Sequence, residues 1–66
     1  MLVVEMKRLI ELYPIGTAVK ILLADGEWVN GRIITHQHPA VWVKTTDGQQ
    51  WFVTNRTRIQ LAQDHL

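Results

Sequence analysis

Two Asp-Gly pairs, Asp25-Gly26 and Asp47-Gly48, constrain this chain more than any other feature. Asp-Gly between hydrophobic runs is the strongest short-range hairpin signal, because a two-residue type I′ turn needs positive φ at both central positions. The first pair joins residues 17–24 to residues 27–36, and the second joins residues 40–46 to residues 49–54. Val19, Ile21 and Leu23 share one face of the first run, the period-two pattern of a half-buried strand. A chain punctuated in this way builds antiparallel sheet before anything else.

Gly31 falls in the middle of the second strand, where a glycine marks a bulge or sharp bend. A bent second strand serves both sides of a small core. Residues 37–39 make a loop, residues 55–57 a tight corner, and residues 58–62 a short fifth strand. Ahead of the sheet, Leu2, Val3, Met6, Leu9, Ile10 and Tyr13 recur at spacings of three and four, which predicts a short amphipathic helix over residues 2–13 that Pro14 stops. The tail, residues 63–66, is expected to fray. The fold class is therefore mainly β: a small five-stranded, bent antiparallel barrel over residues 17–62, with an N-terminal helix, in one domain of 66 residues.

Composition narrows the function. The chain has neither Cys nor Ser, so disulfides, thiolate metal sites and the usual Ser and Cys nucleophiles are absent. Asp25 and Asp47 are explained by turn chemistry rather than as a catalytic pair. We expect no enzyme and no cofactor. A formal net charge of +1 excludes a nucleic-acid binder that works by bulk charge. No apolar run approaches the roughly 20 residues that span a bilayer, and charged Glu5, Lys7 and Arg8 interrupt the N-terminus, unlike a signal peptide. A cytoplasmic protein without a membrane anchor is expected. A chain of this size buries only about 60% of its unfolded surface, so homo-oligomerisation is expected to supply part of its stability.

The run Val19, Ile21, Leu23, then Asp25-Gly26, then Gly31-Arg32-Ile33 and Val41-Trp42-Val43-Lys44 resembles the Sm-like family, including its bacterial Hfq branch. The resemblance covers about two-thirds of the chain. It implies a small bent barrel preceded by a helix, a ring of subunits, and RNA binding. Where that family carries a base-binding Asp and an Asn-like residue, this chain has Gln37 and Val41, and Val53-Thr54 stands where the Hfq branch has Lys-His. The resemblance thus implies weak sequence preference. A second resemblance, through Gly16-Thr17, residues 25–28, residues 41–43 and Asp47-Gly48, is to Tudor and other SH3-like barrels. It implies a protein-interaction module or structural subunit in which Trp28 lines an aromatic surface.

The candidate sites follow. If Asp47-Gly48 is a two-residue turn, Val43 faces Phe52 and Trp42 faces Val53. Trp42 and Trp51 are then diagonal neighbours on one face with Lys44, and Val41, Val43 and Phe52 share the other. Trp28, Trp42 and Trp51 are the candidate interaction surface, covered by the helix or a second copy, or free for a protein partner or a stacked base. His36 and His38, two apart, would share a face on a strand, but no third ligand accompanies them, so a loop contact to RNA is the expectation and a metal site is not. Arg56 and Arg58 at the last corner, with Lys44, are the candidate phosphate contacts. The expected function is a non-enzymatic, homo-oligomeric module for single-stranded RNA, with SH3-like protein docking as the alternative.

Overall fold

The computed structural model describes residues 7–62. Five strands form one antiparallel sheet: β1 (Ala18–Leu22), β2 (Trp28–Gln37), β3 (Ala40–Thr45), β4 (Gln50–Val53) and β5 (Ile59–Leu61). The order across the sheet is β4-β3-β2-β1-β5. β4 and β5 are therefore its two edges. The mainly β expectation holds, but the sheet does not close into a barrel, because no ladder joins β4 to β5.

A single helical turn, α1 (Leu9–Leu12), precedes the sheet. The backbone N–H of Arg8 donates to Glu11 Oε1 at 3.1 Å, and the Tyr13 N–H donates to the Leu9 carbonyl at 2.9 Å. Pro14 then ends the turn. The expected helix over residues 2–13 is thus one turn within the described residues, and its Leu2, Val3 and Met6 lie outside them, as does the tail over residues 63–66. Leu9 and Tyr13, four apart, are both buried, whereas Leu12 and Ile15 are exposed. The Tyr13 hydroxyl donates to the Ile59 carbonyl at 3.4 Å, which ties the segment to β5.

Both Asp-Gly hairpins have three-residue loops, a correction to the two-residue turns expected. In the first, the Gly26 N–H donates to the Leu23 carbonyl and the Leu23 N–H to the Glu27 carbonyl. In the second, the Gly48 N–H donates to the Thr45 carbonyl and the Thr45 N–H to the Gln49 carbonyl. Only Gly26 (φ 87°) and Gly48 (φ 90°) are left-handed in these loops, and among the described residues no non-glycine has positive φ. This is a type I turn followed by a glycine bulge. Each Asp side chain accepts an N–H two residues on, from Glu27 at 3.0 Å and Gln49 at 3.4 Å, the local bond that makes Asp a good turn residue.

The extra loop residue shifts the β3–β4 register by one. Val43 faces Trp51, Trp42 faces Phe52 and Val41 faces Val53. A one-residue slip exchanges the faces: Trp51 and Val53 share the core side with Val41 and Val43, and Phe52 joins Trp42 outside.

β2 pairs with β1 through Trp28–Arg32 and with β3 through Gly31–Gln37, so one long strand serves both sides. The bulge in β2 falls at Ile34, between the Ile33–Val43 and Thr35–Trp42 pairs, and not at Gly31. The inner face gathers Val19, Ile21, Ile33, Val41, Val43, Val53 and Ile59 with Leu9 and Tyr13 into one core. Ile33, Val19, Val41 and Val43 are fully buried, each worth about 1.5–3 kcal/mol relative to exposure.

Candidate nucleic-acid interface

Three of the described arginines donate to neutral partners. Arg32 Nη1 donates to the Gly16 carbonyl at 2.7 Å, Arg56 Nη2 to the Lys7 carbonyl at 2.8 Å, and Arg58 Nη1 to the Leu22 carbonyl at 3.4 Å. A carbonyl orients a guanidinium without neutralising it, and each keeps further donors free. Arg56 and Arg58 lie on one 3-10 turn, Arg56–Arg58. The two side chains engage different segments, Arg56 the stretch ahead of α1 at Lys7 and Arg58 the end of β1 at Leu22. Asn55 caps the turn, its Oδ1 accepting from the Thr57 N–H at 2.9 Å.

The described carboxylates lie elsewhere. Glu11 caps α1, Asp25 and Asp47 sit in hairpin loops, and Glu27 closes the first of them. The Thr45 hydroxyl donates to the Asp47 carboxylate and the Gln49 N–H adds to it, and together these hold the Asp47 pKa below its ordinary value.

The predicted loop pair separates. His36 is on β2, half-buried, with Nε2 2.8 Å from the Tyr13 carbonyl. A carbonyl only accepts, so Nε2 carries the proton there. His36 fastens the segment after α1 to the sheet through this bond. His38 stands exposed on the β2–β3 turn. Among the described residues no three His, Asp or Glu side chains gather to hold a metal ion.

The three tryptophans do not converge. Trp28 faces Leu22 beside the first hairpin and is 40% exposed. Trp42 faces Thr35, seven residues further along β2, roughly 20 Å away at the usual rise per residue. Trp51 packs against the core from the inner side, so Trp42 and Trp51 do not share a face as expected. An aromatic cage, which needs several rings around one point, is not built from these three. Trp42 meets Phe52 instead, with ring centroids 5.0 Å apart and planes at 62°, and its indole N–H donates to Gln37 Oε1 at 3.0 Å. The sequence pattern groups Phe52 with Val41 and Val43, whereas the structure sets it beside Trp42. The one signal that would have corrected it is the loop length.

On the inner side a cleft of about 260 Å³ opens where the sheet fails to close, with Ile21, Leu23, Trp51 and Val53 among its lining and Arg58 beside them. No helix among the described residues is long and apolar enough to cross a membrane.

Comparison with known proteins returned no match: no family model fits the chain, and neither a curated protein nor a solved structure matches it.

Proposed function

We propose that this chain is a non-enzymatic, cytoplasmic small β module that assembles with copies of itself and binds single-stranded RNA with weak sequence preference. The observation that carries the reading is the sorting of charge. Among the described residues no Asp or Glu lies on a strand: they occupy α1, beside Lys7 and Arg8, and the hairpin loops, while Lys20, Arg32, Lys44, Arg56 and Arg58 occupy strands and the last turn, with Arg32, Arg56 and Arg58 held by carbonyls. Such cations retain the charge that phosphate needs. Arg56, Arg58 and Lys44 are its phosphate contacts, and exposed His38 is its loop contact.

Assembly follows from the edges. Among the described residues β4 and β5 each lack a partner on one side, and free edges are managed in natural proteins by pairing or covering. In this reading β4 of one copy pairs with β5 of the next, covering the apolar cleft and completing an Sm-like barrel between subunits. Repetition around a closed ring multiplies a few cations per copy into a collar with avidity. The alternative, SH3-like docking of a protein segment, draws its support from the same cleft.

The test is sedimentation of the purified chain with and without a labelled single-stranded RNA, followed by a salt titration of binding. The reading requires an oligomer at micromolar concentration and RNA affinity that falls steeply with salt. A stable monomer removes the assembly, and absence of binding at low salt removes the RNA. Replacing Arg56 and Arg58 by Gln is expected to weaken binding and flatten the salt slope.

A further inference from the structure

Alternation along the strands sends Trp42 and Lys44 of β3, Phe52 of β4, Arg32 of β2 and Lys20 of β1 to the outer face, opposite the core. Arg32 and Lys44 are directly opposite one another, an arrangement of like charges that destabilises a sheet. Not one of the five strands contains an Asp or Glu, so nothing acidic on the sheet offsets the pair. An anion laid across the face does.

Next to these cations stands the aromatic pair. Trp42 and Lys44 are two residues apart on β3, roughly 7 Å at the usual strand rise. Phe52 is 48% exposed. The 62° angle between the rings leaves each with a face that the other does not cover, and the bond to Gln37 fixes the Trp42 ring in place. Exposed ring faces beside a row of cations match the two components of a single strand, its unstacked bases and its phosphates. In a duplex the base faces are stacked on one another and closed to such rings. Arg, Trp and Phe also serve protein interfaces, and it is the two lysines, depleted there, that weigh toward an anionic strand.

We propose that the outer face of the sheet is a track for single-stranded RNA, with a base stacked at Trp42 and Phe52 and the backbone crossing Lys44, Arg32 and Lys20. This rests on the RNA-binding reading above and adds a surface that the Arg56–Arg58 turn does not supply.

The experiment measures binding of a labelled 12-nucleotide oligouridylate across a salt series by fluorescence anisotropy. The proteins compared are the wild type, Phe52→Gln, the double variant Lys20→Gln/Lys44→Gln, and Arg56→Gln/Arg58→Gln, each checked for native circular dichroism. The altered outer-face side chains are at or near the surface, so these variants are expected to fold. Phe52→Gln is expected to weaken binding by roughly 5- to 150-fold with an unchanged salt slope. The lysine double variant is expected to reduce the slope by roughly 1.4, the value for two phosphate contacts on a single strand. If the wild type binds and both outer-face variants bind like it, while Arg56→Gln/Arg58→Gln does not, the track is overturned and RNA binding stands. If the wild type does not bind at low salt, both are overturned.

Discussion

Gly31 lies against Val43: a Cβ built on Gly31 would stand 2.7 Å from Val43 Cγ1 and 2.9 Å from the Lys44 carbonyl oxygen. Val43 is fully buried and stiff at χ1, and the carbonyl belongs to the β3 backbone, so neither gives way easily. Gly31→Ala is therefore expected to cost about 1–3 kcal/mol through overpacking, read as a lower urea midpoint at unchanged m. Gly31→Val is expected to cost more. An unchanged midpoint for Gly31→Ala would show that β2 and β3 do not approach this closely.

A different glycine carries a different penalty. A Cβ at Gly48 would meet nothing within 4 Å, but its φ is +90°. Gly48→Ala thus isolates the backbone cost, about 1–2 kcal/mol for an L residue in the left-handed region. Thermal melts are expected to show a fall of roughly 4–8 °C per kcal/mol for a domain of this size. The same loop geometry predicts a similar fall for Gly26→Ala.

The β2 bulge sets two adjacent isoleucines to different uses. Ile33 is 1% exposed and Ile34 is 36% exposed. Ile33→Ala is expected to cost about 2–5 kcal/mol by leaving a cavity, enough to unfold a marginal chain of this size. Ile34→Ala is expected to stay within about 0.5 kcal/mol. Chemical denaturation of the two variants checks the difference, and similar losses would place the bulge elsewhere.

Asp47 supplies a pH dependence whose sign is fixed. Its carboxyl is held below the ordinary value first by the Thr45 hydroxyl and then by the Gln49 N–H. A carboxylate whose pKa is depressed in the folded state stabilises that state above the unfolded pKa, about 3.9 for Asp, and the contribution is lost as pH falls through the lower folded value. Thr45→Val keeps the shape of the buried side chain and removes the donor. An NMR titration of the Asp47 carboxyl is expected to show a higher midpoint in Thr45→Val than in the wild type, and the second hairpin is expected to loosen at a correspondingly higher pH. Equal midpoints would deny the hydroxyl that role.

The alternation of Val19 with Ile21 and of Val41 with Val43 made the core strands legible before any coordinates, and the Asp-Gly pairs located both hairpins. Loop length was not legible. Whether one or both loop residues turn left-handed depends on Asp47 as well as Gly48, and both turn types accept the same dipeptide. That single ambiguity moved Trp51 to the wrong face and Phe52 with it. The bulge at Ile34 carries no glycine or proline to announce it, since Ile33, Ile34 and Thr35 read as ordinary strand residues. Closure of the sheet is a property of strand twist summed over all five strands, which no local pattern reports. At the candidate site, Lys44 was legible as a cation on a strand, but its neighbours Arg32 and Phe52 became visible only with the register.

β1 to β4 form a meander in which every strand pairs with its neighbour in sequence, while β5 must travel back to β1, pairing Leu61 with Val19. Adjacent hairpins close small loops, whereas the β5 contact closes a loop of most of the chain and is entropically the most expensive to form. Loop-closure entropy therefore predicts that the meander forms first and β5 docks onto it last, latched by the Tyr13 hydroxyl on the Ile59 carbonyl. The same order in reverse makes the last strand the first to open. Its amides are expected to exchange with solvent through a local opening that leaves the meander intact, and each such opening would bare the β5-facing side of β1 to any strand arriving from a neighbouring molecule.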